Sequence, residues 1–171
     1  MRTFGYKEGN DRAVAAQSSE HYARLVGGAA LFMGDAKTAC VQFCEQNRQL
    51  VLCCLPSSLA ELADGAGFST MLDVVAIYGG RRLYLPTKEQ RFQTVTGLSV
   101  PAAAYYRWRS QTDSNGQIDI PSLWGLVLAL RKAAIQFALA KQWPTEEIHS
   151  AFGISRKQLR AFRTVPASPL N

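Results

Sequence analysis

"EEIHSAFGISRKQLRAFR", residues 146–163, is the stretch from which the rest of the chain is read. Its spacing is that of two short helices joined at a glycine. Ile148 and Phe152, four apart, share one face of the first helix. Gly153 supplies the turn, where a positive φ costs a glycine little. Ile154 fills the space between the helices. Ser155 is placed to cap the second helix, and Gln158 three residues on completes a capping box. Leu159 and Phe162 turn toward the same interior. Arg156, Lys157, Arg160 and Arg163 are left on the outside, with no acid among them. A helix that enters the DNA major groove needs this layout: side chains at its N-terminal end reach base edges, and its flanks hold phosphate. Ser155, Arg156, Lys157, Gln158, Arg160 and Arg163 are therefore the expected DNA-binding set. The competing reading is a solvated basic helix after a glycine turn. His149 is a departure, because such motifs prefer a small residue there.

Charge supports the first reading. Residues 1–76 hold 6 Lys+Arg against 8 Asp+Glu, a net −2, whereas residues 77–171 hold 13 against 5, a net +8. The whole excess of +6 belongs to the second part, which suits one region that meets a polyanion and another that does something else.

Working backward, "SLWGLVLALRKAAIQFALAKQW" reads as the longest apolar helix. The polar run "SQTDSNGQIDIPS" before it reads as a loop with a turn at Asn115-Gly116. "QRFQTVTGLSVPAAAYYRWR" looks like a second, weaker copy of the helix pair. Gly97, Leu98 and Ser99 mirror Gly153, Ile154 and Ser155. Tyr105, Tyr106, Arg107, Trp108 and Arg109 then form an aromatic and basic cluster fit for phosphate contact or stacking, with Tyr105, Arg107 and Arg109 the expected DNA-binding residues. The plainer alternative leaves the aromatics in the core and the arginines in solvent. Thr87 and Gln90 have the spacing of another capping box.

"AIYGGRRLYLP", residues 76–86, contains a segment too short for a useful helix. Arg81 to Leu85 reads as a strand, with Leu83 and Leu85 toward the core and Arg82 and Tyr84 away from it. No second strand of similar strength is legible nearby. Toward the N-terminus the pattern predicts four helices: one from Asn10 or Asp11, one capped by Asp35 through "AKTACVQFCEQNRQLVLCC", one opened by Ser58 with Glu61, and "FSTMLDVVAIY". Cys40, Cys44, Cys53 and Cys54 lack the two-pair spacing of a zinc site, so they read as buried thiols that act as small hydrophobes.

The order of apolar helix, "LDVVAIYGGRRLYLP" (72–86), then "LRKAAIQFALAKQWPTEEIHSAFGISRKQLRAFR" (130–163) resembles the Mor family of phage middle-operon transcription activators, which includes the related C activators. The resemblance implies an N-terminal helical region that dimerises, a strand that pairs with the same strand of a second subunit, and a C-terminal helix-turn-helix that binds each half of an inverted repeat. It also implies that Arg81 and Arg82 lie near DNA phosphates. Residues 87–126 stand where the family has a much shorter link.

The expected protein is thus mainly α. Residues 1–80 form a helical dimerisation region and 81–86 a β-strand linker. Residues 87–165 form a DNA-binding region, with a first helix-turn-helix at 87–109 and the main one at 145–163. The expected function is a homodimeric, sequence-specific transcriptional regulator, an activator from a phage or mobile element. Its expected partners are double-stranded DNA and, as a further candidate, RNA polymerase. The alternative is an interaction module that grips an acidic protein or RNA through its basic face. No phosphate loop, nucleophile elbow or metal-ligand cluster is legible, so neither an enzyme nor a cofactor is expected. No signal-peptide core or long apolar run is seen, so a cytoplasmic protein without a membrane span is expected.

Overall fold

The computed structural model describes residues 33–164, with side chains through 162. The helix expected from Asn10 or Asp11 and the tail beyond 164 lie outside the described residues. The described part is mainly helical, with one small two-stranded sheet. In chain order it runs α1 (Gly34–Gln46), α2 (Arg48–Cys54), α3 (Ser57–Ala66), α4 (Phe68–Tyr78), β1 (Arg82–Tyr84), α5 (Glu89–Thr96) and α6 (Ala102–Arg109). It continues with β2 (Gln117–Asp119), α7 (Leu123–Ala140), α8 (Thr145–Phe152) and α9 (Arg156–Thr164).

The helices sit where the apolar spacing puts them, but several starts differ. α1 begins at Gly34, with Met33 at the cap position and Asp35 inside the first turn. An acid there favours the positive end of the helix without a cap bond. The single helix expected across 36–54 is divided at Asn47, whose side-chain amide donates to the carbonyl of Phe43 at 3.0 Å. The boxes Ser58–Glu61 and Thr87–Gln90 do not form, and Pro56 and Lys88 hold the cap positions instead. Glu61 pairs with Arg107 at 3.3 Å. Ser99 does not cap α6 either, because Pro101 stands at that position. Proline fixes φ near the helical value and lacks the N–H that a cap would serve, so the helix starts after it.

One apolar cluster runs from Cys40 to Leu159, so residues of the 1–80 and 87–165 regions share an interior. α3 lies close against α6. A Cβ on Gly65 would meet the Cβ of Ala104 at 2.5 Å, so this approach requires a glycine. Phe92, Tyr105 and Trp108 form the aromatic centre beside it, with ring centroids 5.3 Å (Phe92–Tyr105) and 5.9 Å (Phe92–Trp108) apart. α2 packs on α7, and Phe43 of α1 meets Phe137 of α7 edge to face. Cys40 and Cys44 are buried as expected, while Cys53 is exposed and Cys54 half-buried, its thiol donating to Gln136 at 3.2 Å. Adjacent helical residues diverge by about 100°, so both members of a vicinal pair cannot face one core. α7 has the length and hydropathy of a membrane span, but Arg131 and Lys132 lie at its middle and its buried face joins this cluster.

The expectation of a lone strand is overturned. β1 pairs antiparallel with β2 of the same chain, with Arg82 opposite Asp119, Leu83 opposite Ile118 and Tyr84 opposite Gln117. The segment read as a loop supplies this partner. The Asp113 carboxylate accepts from the backbone N–H of Asn115 and of Gln117, each at 2.9 Å, and Gly116 turns with φ 72°. That side-chain turn delivers Ile118 and Ile120 to the core on alternate positions. Leu83 and Leu85 are buried and Arg82 and Tyr84 exposed, as the alternation predicts.

Candidate nucleic-acid interface

α8 starts after Pro144 and buries Ile148 and Phe152. Gly153 then takes the left-handed conformation, with φ 57° and ψ 36°. Ile154 is buried behind it. The box at the head of α9 is formed: Gln158 N–H donates to Ser155 Oγ at 3.2 Å, and Ser155 N–H donates to Gln158 Oε1 at 2.8 Å. Both side chains are exposed, yet each is engaged with backbone at the helix end. Leu159 faces the core and Phe162 is half-buried against it. Arg156, Lys157 and Arg160 are exposed together on the opposite face. The side chain of Arg163 lies outside the described residues. Among the described residues, one carboxylate reaches this face: Glu146 of α8, 3.3 Å from Arg156.

Two residues that sequence reasoning did not place in the site hold its turn. Arg131, from the middle of α7, donates to the carbonyl of Phe152. This satisfies a carbonyl at the end of α8 and sets a cation at that helix's negative end. His149 fills the position where a small residue was expected. Its Nδ1 bonds the carbonyl of Ile154, which can only accept, so Nδ1 carries the proton. The imidazole therefore bridges the glycine turn from below. The signal for Arg131 was a charge in the centre of an apolar helix, which calls for a buried acceptor nearby.

The second expected cluster is arranged differently. Tyr105 is wholly buried and donates its hydroxyl to the carbonyl of Pro86 at 2.6 Å, so its ring is out of reach of a nucleic acid. Burial pushes its phenol up to about 12. Arg109 donates to the carbonyls of Leu85 at 3.2 Å and Pro86 at 3.1 Å, which ties α6 to the end of β1. Arg107 pairs with Glu61 at 3.3 Å and lies 3.8 Å from Asp64. Arg82 is met by Asp113 at 2.6 Å and by Asp119 at 3.2 Å. The N–H groups of Gln117 and Asn115, with Arg82 beside them, hold the Asp113 carboxyl below its usual range. Arg81 is exposed and lies beside β1, away from any carboxylate among the described residues. Of the expected set, then, Ser155, Arg156, Lys157, Gln158 and Arg160 come together on one surface. Tyr105 and Arg109 are engaged within the fold, and Arg107 and Arg82 are paired with carboxylates at its surface.

No family model, curated protein or solved structure matches the chain.

The α9 surface can do two things chemically. Its three exposed cations can neutralise phosphates, and its arginines can each offer two parallel N–H groups to a guanine edge. Among the described residues, no three His, Cys, Asp or Glu side chains come together as metal ligands.

Proposed function

We propose that the chain is a sequence-specific DNA-binding transcriptional regulator, in which α8 and α9 act as a helix-turn-helix and α9 lies in the major groove. The observation that carries this reading is the sorting of α9. Leu159 is buried, the first turn is closed by Ser155 and Gln158, and Arg156, Lys157 and Arg160 share the outer face. A closed cap keeps the end of the helix rigid, and that end is where base contacts are made. An interior helix would not expose three cations, and an incidental surface helix has no need to leave acids out of its own sequence.

The homodimer belongs to the same proposal. β1 does not require a second subunit to pair with, because β2 occupies one side. Dimerisation rests on reach: one short helix reads only a few base pairs, and a two-fold pair on an inverted repeat doubles the contacts. The resemblance to the Mor and C activators rests on the two quoted stretches and supports an activator from a phage or mobile element, with RNA polymerase as its further partner.

Selection from a pool of randomised duplexes tests the proposal. One enriched inverted repeat, bound by two chains per duplex in sedimentation, is the expected result. Equal binding to every duplex, with a salt dependence and no sequence preference, would remove the regulator and leave only a polyanion-binding face.

A further inference from the structure

Glu146 is an odd residue to find beside a DNA-binding surface. It lies in the first turn of α8, and its carboxylate is 3.3 Å from Nη2 of Arg156, ten positions along the chain. Both side chains are largely exposed, at 76% for Arg156 and 78% for Glu146. A pair so open to water adds little to the stability of the free protein. An acid here also repels phosphate, so for affinity alone it is a cost.

The placement makes sense for selectivity. Arg156 is the first residue of α9, directly after the cap, where the second helix of such a pair meets base edges. A guanidinium has five N–H donors in one plane. A contact to Glu146 biases the orientation of that plane and leaves donors free for a guanine, which takes two. The same carboxylate opposes rotation of Arg156 toward the backbone, because a phosphate there would meet the negative charge of Glu146. Lys157 and Arg160 have no carboxylate within reach among the described residues, so they remain free for phosphate.

We propose that Glu146 is a positioning residue for sequence discrimination: it holds Arg156 for a guanine edge and away from phosphate. This rests on the reading of α9 as a DNA-reading helix. Removal of the charge should therefore weaken selective binding and strengthen unselective binding, two effects of opposite sign that a purely structural role does not produce.

The test compares E146Q, E147Q, R156A and the double variant E146Q/R156A with the full chain. The probes are the duplex that the wild-type protein enriches from a random pool and a scrambled duplex of the same length, each over a range of salt. Glu147 shares the first turn of α8 and is the control for any effect of its charge on the helix end. For E146Q the ratio of the two affinities is expected to fall about tenfold, within the range of one bidentate base contact. Its salt slope on the scrambled duplex should steepen by about 0.9, the mark of one added phosphate contact. E147Q should keep the wild-type ratio, and E146Q should not change the ratio further once Arg156 is alanine. An unchanged ratio in E146Q, or an equal effect of E146Q on the ratio with and without Arg156, overturns the positioning role while the reading of α9 stands. A wild-type protein that enriches no duplex overturns both.

Discussion

Two helix pairs in this chain are turned by a left-handed glycine: α5–α6 at Gly97, with φ 71°, and α8–α9 at Gly153, with φ 57°. In sequence they look like copies. In the structure their second helices face opposite ways in chemical terms. α6 puts Tyr105 and Trp108 into the core and spends Arg107 and Arg109 on neighbours within the fold. α9 keeps Arg156, Lys157 and Arg160 outside. The difference lies in what surrounds each pair. α6 is wedged between α3, which brings Glu61 and Asp64, and the end of β1, which brings two free carbonyls. α9 packs on α7, and among the described residues Glu146 is the carboxylate that answers its charge. A basic helix after a glycine turn is therefore not a DNA-binding helix until its cations are shown to have no other employment.

The comparison breaks most visibly at Trp108. Trp108→Ala empties a site in the aromatic centre and should lower the free energy of unfolding by about 3–5 kcal/mol in a denaturant titration. A loss under about 1 kcal/mol would mean that α6 is not built around that centre.

Next come the cations. Arg156→Ala or Lys157→Ala should leave stability near wild type. If the lost side chain reads a base, it should cost about 1–3 kcal/mol of binding at one base position. Arg107→Ala should do the reverse, with DNA affinity retained and stability lowered by about 0–1 kcal/mol, as befits an exposed ion pair. Mobility shifts and thermal melts on the three variants would read both axes, and equal loss of binding across them would erase the distinction between α6 and α9.

The glycines sharpen it further. A Cβ at Gly153 meets nothing within 4 Å, so Gly153→Ala is expected to cost only the left-handed conformation, about 1–2 kcal/mol, and Gly153→Asn less. At Gly65 the obstacle is contact instead: Gly65→Val should cost about 1–3 kcal/mol through the forced separation of α3 from α6. Asparagine at 65 should give no relief, and melting curves of the four variants test the pattern.

A smaller effect than that of Trp108 is expected at Tyr105. Tyr105→Phe removes one buried hydrogen bond to Pro86, worth about 0.5–1.5 kcal/mol. Because burial raises the phenol to about 12, its proton is held longer in the folded chain than in the unfolded one, where it leaves near pH 10. Its contribution is complete below about pH 10 and falls as pH rises toward about 12. Wild-type stability should decline more steeply than that of Tyr105→Phe in this window, and parallel curves would refute the buried phenol.

Much of the local structure was legible without coordinates. The mainly helical class, the turn at Gly153, the box between Ser155 and Gln158, and the alternation of Leu83 and Leu85 against Arg82 and Tyr84 all follow from side-chain spacing and backbone freedom, which act over a few residues. Signals at the same range failed where proline intervened, as at Pro56 and Pro101, because its fixed φ outranks a nearby hydroxyl as the start of a helix. β2 was hidden for a related reason. Ile118 within it and Ile120 just after it sit in a polar run, and three residues of strand have no periodicity to read until β1 is beside them.

Sequence alone determined that the positive charge of this protein lies in its second half and that a capped basic helix follows a glycine turn. Only the tertiary structure decided which cations stay available. An arginine side chain reaches several ångströms, and its partner is chosen by whichever carboxylate or carbonyl the packing of distant segments brings within reach. Glu61 lies 46 positions from Arg107, and the Leu85 carbonyl lies 24 from Arg109. No local pattern encodes those distances, so the same two-helix grammar yields a core element at α6 and an open basic face at α9.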